Sequence, residues 1–422
     1  MIQAQFQPNW ESVRSHKRPQ WFDDAKLGIF IHWGLYSVPA WAETKWELGG
    51  EPSDYEWFVH NSYAEWYMNT IGLKESAAWA YHKETFGEDF PYRRFAEKFT
   101  CEHWEPAEWA SLFREAGARY VVLTTKHHDG FCLYPSAYTD YNSVRLGPGR
   151  DLTGELTAAV RAAGLRMGHY YSGLLDWTFD CQPITKHHLF RQEYNLSQEL
   201  ADYSRNQVIE LIDRYRPSIL WNDIGWPEKG AENLPEIFAH YYNSVPEGIV
   251  NDRWDGLWWE YRTPEYLFGE RSDQFKWEMC RGLGLSFGYN QNEGADDIVS
   301  GRALVEMLCE YVSENGNLLI NVGPKADGTI PREQIAVLRE LGAWLKKHGE
   351  AIYATRPCEK CHSESLENGA KAYYTQGSAG RYAILSGLTP GEHTVSLPAW
   401  ETCVTVCVND ELPVHTRIEG TA

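Results

Sequence analysis

The sequence predicts an α/β chain: a (β/α)8-like TIM barrel followed by a small C-terminal all-β sandwich domain. Three observations carry that prediction. A short apolar run followed by an amphipathic stretch recurs about seven or eight times over roughly 350 residues, the alternation of a parallel barrel. Polar residues with chemical capacity cluster at the C-terminal ends of those runs, the end where such barrels carry their sites. After Thr355 the texture changes to short β-type runs with Gly and Pro between them, which reads as all-β. The expected domains are therefore residues 1–355 and 356–422. A doubly wound open sheet is the architectural competitor, but no G-x-G-x-x-G follows the first strand, which argues against nucleotide binding.

Each element follows from local pattern. After a polar entry segment with Pro8 and Pro19, Leu27-Gly-Ile-Phe-Ile-His-Trp-Gly34 reads as a first strand that delivers His32 at its end. Residues 35 to about 99 form a long aromatic, loop-rich connection, a length that usually signals function. Pro106 to Gly117 is an amphipathic helix with Trp109, Leu112 and Phe113 on one face and Gly117 as its stop. The second strand, Tyr120-Val-Val-Leu-Thr-Thr-Lys-His-His-Asp-Gly130, ends in Lys126, His127, His128 and Asp129. A helix over 151–164 and a third strand, Leu165 to Ser172, follow. The helix over 197–215 sets Val208, Leu211, Ile212 and Tyr215 at i, i+3, i+4 and i+7.

The next strand organises the chain. Ser218-Ile-Leu-Trp-Asn-Asp-Ile-Gly-Trp-Pro227 begins apolar, sets down one carboxylate at Asp223 and stops at Gly225 and Pro227. An acid at a strand's C-terminal end, flanked by Trp221 and Trp226, suggests chemistry on a sugar; the plainer reading is an Asp making a turn. Beyond it lie a helix over about 234–243, a strand 248–253 ending in Asp252 and Arg253, and an aromatic loop 254–266. Strand-like pieces at 275–278 and 285–290, a helix 301–314, a last strand 317–323 and a helix from 333 to about 353 complete the barrel. In the C-terminal region the runs 372–376, 381–385, 393–397 and 402–406 read as strands.

Composition narrows the function classes. With 43% hydrophobic residues a large core is available, and the aromatic share is 14%, with 19 Trp and 25 Tyr. Aromatic faces bury apolar area and keep a polar handle, which suits the C–H-rich face of a pyranose. The net charge is 39 − 59 = −20, which disfavours nucleic acid and anionic membrane as partners. No run of about 18 apolar residues predicts a membrane span. Met1 to Ser15 has no apolar signal core and nine cysteines are irregularly spaced, so a reduced, cytoplasmic protein is expected. Cys358-x-x-Cys361 is half of a zinc site at most, because a structural site needs four ligands, and reads as two incidental thiols.

Nine polar groups fall at predicted strand ends: His32, His127, His128, Asp129, Tyr170, Tyr171, Asp223, Asp252 and Arg253. In a barrel all nine are expected to converge on one face. Adjacent strand residues point to opposite faces, so His127 and His128 are not expected to share an ion. No H-E-x-x-H and no G-x-S-x-G is present, and no metal or cofactor is expected. Two carboxylates remain as the simplest machinery for glycoside hydrolysis. Asp223 is the natural nucleophile, kept ionised beside Arg253. The donor needs a raised pKa from aromatic burial, and Glu265 fits, with Glu260 and Glu278 as rivals.

These motifs resemble those of the retaining α-L-fucosidases of glycoside hydrolase family 29, of the broad-specificity type. The resemblance covers most of the chain. It rests on Phe30-Ile-His-Trp-Gly34, Glu65-Trp66, Thr125-Lys-His-His-Asp-Gly-Phe131, Tyr170-Tyr-Ser172, Leu220-Trp-Asn-Asp-Ile-Gly-Trp226, Asn251-Asp-Arg253, Trp277-Glu278, Ser286-Phe-Gly-Tyr-Asn290 and Leu318-Leu-Ile-Asn-Val-Gly-Pro324. It implies a barrel followed by a β-sandwich, Asp223 as nucleophile and, through Arg262-Thr-Pro-Glu-Tyr266, Glu265 as acid/base. It further implies that His32, Glu65, Trp66, His127 and His128 hold the sugar hydroxyls, with Tyr170, Trp221, Arg253 and Phe287 completing the pocket. Trp221 or Phe287 would face the C5 methyl of the 6-deoxy sugar.

The implied partner is a fucosylated oligosaccharide or glycoconjugate, with no nucleic acid or membrane; a homo-oligomer is compatible with the resemblance. Two departures stand out: many members are secreted while no signal is visible here, and the acidic, aromatic loop 255–260 keeps Glu260 in contention. A galactoside-cleaving exo-glycosidase on the same barrel, or a non-catalytic fucose-binding lectin, are the alternative functions.

Overall fold

The computed structural model describes residues 5–187, 196–255, 258–267, 269–358, 362–366 and 369–388, and the backbone of 405–408. Seven parallel strands curl around one core: β1 (Leu27–Ile31), β2 (Tyr120–Lys126), β3 (Arg166–Ser172), β4 (Ile219–Asp223), β5 (Ile249–Val250), β6 (Trp277–Gly282) and β7 (Gly316–Val322). Their order is β5-β4-β3-β2-β1-β7-β6. Nearly every residue in them is buried, as expected of parallel strands covered on both faces. Gly28 on β1 lies opposite Tyr120 on β2. A Cβ at Gly28 would sit 2.2 Å from the Tyr120 ring, so only glycine lets that ring fill the barrel interior.

Helices cover the outside: α1 (Pro106–Glu115), α2 (Leu152–Ala162), α3 (Gln198–Tyr215), α4 (Leu234–Ser244), α5 (Gly301–Ser313) and α6 (Arg332–His348). Their starts are chemically marked. Pro occupies the first turn of α1, Asp151 accepts the Gly154 N–H at 2.9 Å at α2, and Ser197 accepts the Leu200 N–H at 3.1 Å at α3. Such caps each contribute about 1 kcal/mol. Helix α3 buries Val208, Leu211, Ile212 and Tyr215, the face its periodicity predicts.

The eighth position of the ring is taken by a segment the sequence presents as a loop. Glu260 N donates to Val250 O at 3.2 Å, Glu278 N to Arg262 O at 2.8 Å and Cys280 N to Pro264 O at 3.0 Å. Isolated parallel bridges pair Arg262 with Trp277 and Glu265 with Cys280. Residues 260–265 thus run between β5 and β6. Its aromatic, acidic residues and Pro264 disguise it, because they break the apolar run that marks a buried strand. The opposite happens at 285–290, expected as strand-like but irregular: its backbone polar groups bond side chains rather than a ladder.

Between β1 and α1 the expected loop is largely helical turns, Asp54–Val59, Tyr67–Thr70 and Ala77–Thr85. In the C-terminal region the described strands form one sheet, β8 (Arg356–Pro357), β9 (Ser363–Ser365), β10 (Lys371–Gly377), β11 (Gly380–Ser386) and β12 (Thr405–Val408). The order is β12-β11-β10-β8, with β9 on β10. It leans on α5: Ser386 Oγ donates to Glu306. The expected strand 393–397, Cys361 and residues 402–404 lie outside the described residues.

Candidate active site

Asp223 is the last residue of β4 and is 8% exposed. Its Oδ1 accepts from Arg253 Nη1 at 2.6 Å and from the next residue's backbone, Ile224 N, at 2.8 Å. Its Oδ2 accepts from the Tyr170 hydroxyl at 2.7 Å. Burial pushes its carboxyl up, but the Arg253 charge and the Tyr170 hydroxyl outweigh it and hold the pKa below the ordinary value. The turn behind it is strained: Ile224 has φ 65° and Gly225 φ 113°. A β-branched residue there is an outlier costing of order 1–3 kcal/mol. Asn222 Nδ2 clamps the turn by donating to Gly225 O at 2.8 Å and Arg253 O at 2.6 Å.

The same guanidinium reaches the second carboxylate. Arg253 Nη2 donates to Glu265 Oε2 at 2.9 Å, and the Tyr63 hydroxyl donates to Glu265 Oε1 at 2.9 Å. Arg253 is itself fixed by Nε to Thr263 Oγ1 at 3.0 Å, and its guanidinium carbon lies 4.6 Å from the Trp221 ring centre. Trp221 is 1% exposed, so one face carries Arg253 while Tyr170 stacks nearby at 5.6 Å. It acts on the site through these two residues.

Three histidines line the other side. The Asn321 amide donates to Phe287 O at 2.6 Å, so its Oδ1, 2.7 Å from His32 Nδ1, must accept, and His32 presents Nε2 as an acceptor. Ser172 Oγ donates to Leu175 O at 2.6 Å and therefore accepts from His128 Nδ1 at 2.6 Å. His128 Nε2 is then also an acceptor, 4.0 Å from Asp223 Oδ2. His127 Nδ1 is buried without a hydrogen-bond partner among the described residues. Burial pulls the pKa of His32 down to about 4 and those of His127 and His128 well below the ordinary value, so all three are neutral.

His127 and His128 do not point apart as strand alternation predicts. Strand β2 ends at Lys126, and His127 opens a turn closed by Gly130 N to His127 O at 3.1 Å. The two rings lie 3.9 Å apart. Glu65 and Phe287 join the wall through one loop: Glu65 Oε2 accepts from Gly288 N at 2.7 Å, and Phe287 sits 4.8 Å from His32 and 5.3 Å from Tyr63. Burial raises Glu65 to about 7. Trp66 packs 5.1 Å from His128.

Six of the nine strand-end groups converge: His32, His127, His128, Tyr170, Asp223 and Arg253. Asp129 instead accepts from the Tyr92 hydroxyl at 2.9 Å. Tyr171, one residue out of phase with Tyr170, points to the helix layer and donates to Gln207 at 2.9 Å. Asp252 accepts from Thr263 N and Oγ1, at 3.1 and 2.7 Å. Trp226 is buried against Trp254, away from Asp223. Among the rival acids, Glu260 faces His16 at 2.7 Å and Tyr242 at 3.1 Å. Glu278 lies in the barrel interior, accepting from Tyr120 and, at 3.1 Å, from Trp221 Nε1.

Residues 1–350 match the family model for alpha-L-fucosidase. The chain belongs to the alpha-L-fucosidase family. It is therefore a glycoside hydrolase. It is similar to the tissue alpha-L-fucosidase of Rattus norvegicus, 36% identical over 390 residues, covering 90% of this chain and 78% of that one. The Thermotoga maritima alpha-fucosidase in complex with fucose superimposes with a TM-score of 0.86 at 50% identity, covering 93% of this chain and 90% of that one. An alpha-L-fucosidase GH29 from Bacteroides thetaiotaomicron aligns at 0.64 and 25% identity, covering 87% and 81%.

Several residues of this alpha-L-fucosidase site are invisible to motif reasoning. Tyr63 belongs to the long connection and reaches Glu265 only because Asn61 and Ser286 fix its turn: Asn61 Oδ1 accepts Tyr63 N at 2.7 Å and Ser286 Oγ accepts Ala64 N at 2.8 Å. Ser172, Asn321 and Thr263 each lie within or beside a motif, yet their roles emerge only from which partner they orient. Among the described residues no three His, Cys, Asp or Glu side chains are arranged to hold a metal ion.

Proposed function

We propose that the chain is an exo-acting α-L-fucosidase that hydrolyses terminal α-L-fucosides with retention, through a covalent fucosyl-enzyme intermediate. Asp223 attacks the anomeric carbon while Glu265 protonates the departing oxygen; Glu265 then takes a proton from the water that releases fucose. The observation that carries this reading is the single guanidinium between the two carboxylates, at 2.6 and 2.9 Å. A nucleophile and an acid/base must act on one anomeric centre, and the shared guanidinium holds Asp223 and Glu265 to a common point.

The remaining groups suit a neutral, hydroxyl-rich ring. His128 Nε2 presents an acceptor to a sugar hydroxyl beside Asp223, 4.0 Å from its Oδ2. Neutral histidines and Glu65 hold hydroxyls without demanding a charged substrate, and Phe287 offers an apolar wall to the C5 methyl. The buried thiols Cys101, Cys132 and Cys280 suit a reducing compartment, and we place the enzyme in the cytoplasm. Anomeric configuration of the first-formed product, followed by NMR on an aryl α-L-fucoside, tests the reading. α-Fucose appearing first is expected; β-fucose first would mean inversion and would exclude Asp223 as a covalent nucleophile.

A further inference from the structure

Ile224, directly after Asp223, holds a backbone conformation its side chain disfavours. Nine non-glycine residues have positive φ among the described residues, and Ile224, at 65°, is the one β-branched member. Glycine or asparagine adopts this region far more cheaply. The backbone task at this position is to donate the Ile224 N–H to Asp223 Oδ1 at 2.8 Å, and a glycine N–H does that equally well. A branched side chain kept under strain therefore points to the side chain itself.

Its surroundings say what that side chain does. From Ile219 to Pro227 every residue is buried except Ile224, which is half-buried. It packs against the apolar cluster that includes Tyr63, Trp66, Tyr170 and Phe287 of the site wall together with barrel-interior residues such as Phe30, Ile219 and Leu319. Ile224 is the partly exposed residue next in sequence to the buried carboxylate. We propose that the Ile224 side chain is a substrate contact, an aliphatic wall against the C–H surface of the glycosyl unit held at Asp223. The proposal rests on the fucosidase reading of the site. The strained turn serves to place this wall where an ordinary strand residue would turn away.

The test compares native protein, Ile224→Gly and Ile224→Val on p-nitrophenyl α-L-fucoside, with a thermal melt of each. Glycine relieves the strain and keeps the N–H, so Tm is expected to hold or rise while KM rises ~10-fold or more, the size of effect a lost aliphatic contact produces. Valine keeps a branched wall and is expected within ~3-fold of native KM. A rise in KM for Ile224→Gly with Tm maintained supports the contact. An unchanged KM, or one raised only together with a fall in Tm, overturns it and leaves Ile224 a packing residue. Native protein without turnover would instead overturn the fucosidase reading, whatever the variants do.

Discussion

Asp223 and Glu265 share one cation: the Arg253 guanidinium donates to the first at 2.6 Å and to the second at 2.9 Å. The charge of each carboxylate is thereby felt by the other. When Asp223 is esterified in the proposed intermediate its charge disappears, and Arg253 is left with Glu265 alone. The guanidinium then holds Glu265 in place for the second step, in which it takes a proton from water. In the free enzyme the same guanidinium is divided between the two carboxyl groups.

Replacing Arg253 with Met is expected to lower kcat/KM by about 10²–10³, the size of effect seen when one preorganised charge donor is lost. The pH profile is the sharper readout. Burial alone raises the Asp223 pKa, and the positive charge of Arg253 does most to bring it back down, so loss of that charge moves the pKa up. The acidic limb of kcat/KM should shift to higher pH. A limb that stays in place would mean that Arg253 does not control the nucleophile's ionisation.

Glu265→Ala should damage natural fucosides far more than activated aryl fucosides, because a good leaving group departs without protonation. The ratio of kcat/KM for p-nitrophenyl α-L-fucoside and a fucosyl disaccharide measures this. Equal loss on both would remove Glu265 from the acid role.

Glu260→Ala should leave that ratio unchanged and instead lower stability. The Glu260 carboxylate ties together His16 at 2.7 Å, Tyr242 at 3.1 Å and Val250 N at 2.8 Å, anchoring the segment that carries Glu265. Removing one partner of a buried pair costs about 3–5 kcal/mol. A melting temperature close to native would show that the closing segment does not depend on this anchor.

Glu278→Gln isolates a buried acid from the catalytic pair. Burial raises Glu278 to about 7 against the hydrogen bonds from Tyr120 and Trp221. A carboxyl whose folded pKa is raised holds its proton longer in the native state, so its contribution falls as pH climbs from the unfolded value, ~4.3, to the folded one. The difference in stability between Glu278→Gln and native protein should therefore move in favour of the variant between about pH 4.5 and 7. Denaturant titrations on either side of that window check it; a constant difference would contradict the raised pKa.

The strands and helices that announce themselves by period were legible: β1 to β4, β7 and the helices beside them. The place of Asp223 at the end of β4 was legible too, because the apolar run before it and the Gly-Trp-Pro stop after it mark the strand's end. What misleads is local rule without tertiary context. Alternation separates His127 from His128 only while β2 lasts, and it ends one residue earlier. Aromatic and acidic residues at 258–266 suggest an exposed loop, yet Val250, Trp277 and Cys280 offer the pairing that turns 260–265 into the eighth stave. Tyr63 reaches Glu265 across 202 positions of sequence, a distance that no motif records.

Whether Asp223 is the nucleophile is decided by release of p-nitrophenol from its α-L-fucoside by native protein and by folded Asp223→Ala, with and without azide. Turnover by the native enzyme and near-complete loss in the variant are expected. Azide should then restore release and give β-L-fucosyl azide, the anion entering from the face that Asp223 occupied. Substantial turnover by Asp223→Ala without azide would contradict the assignment, because no covalent step at that residue would then be required.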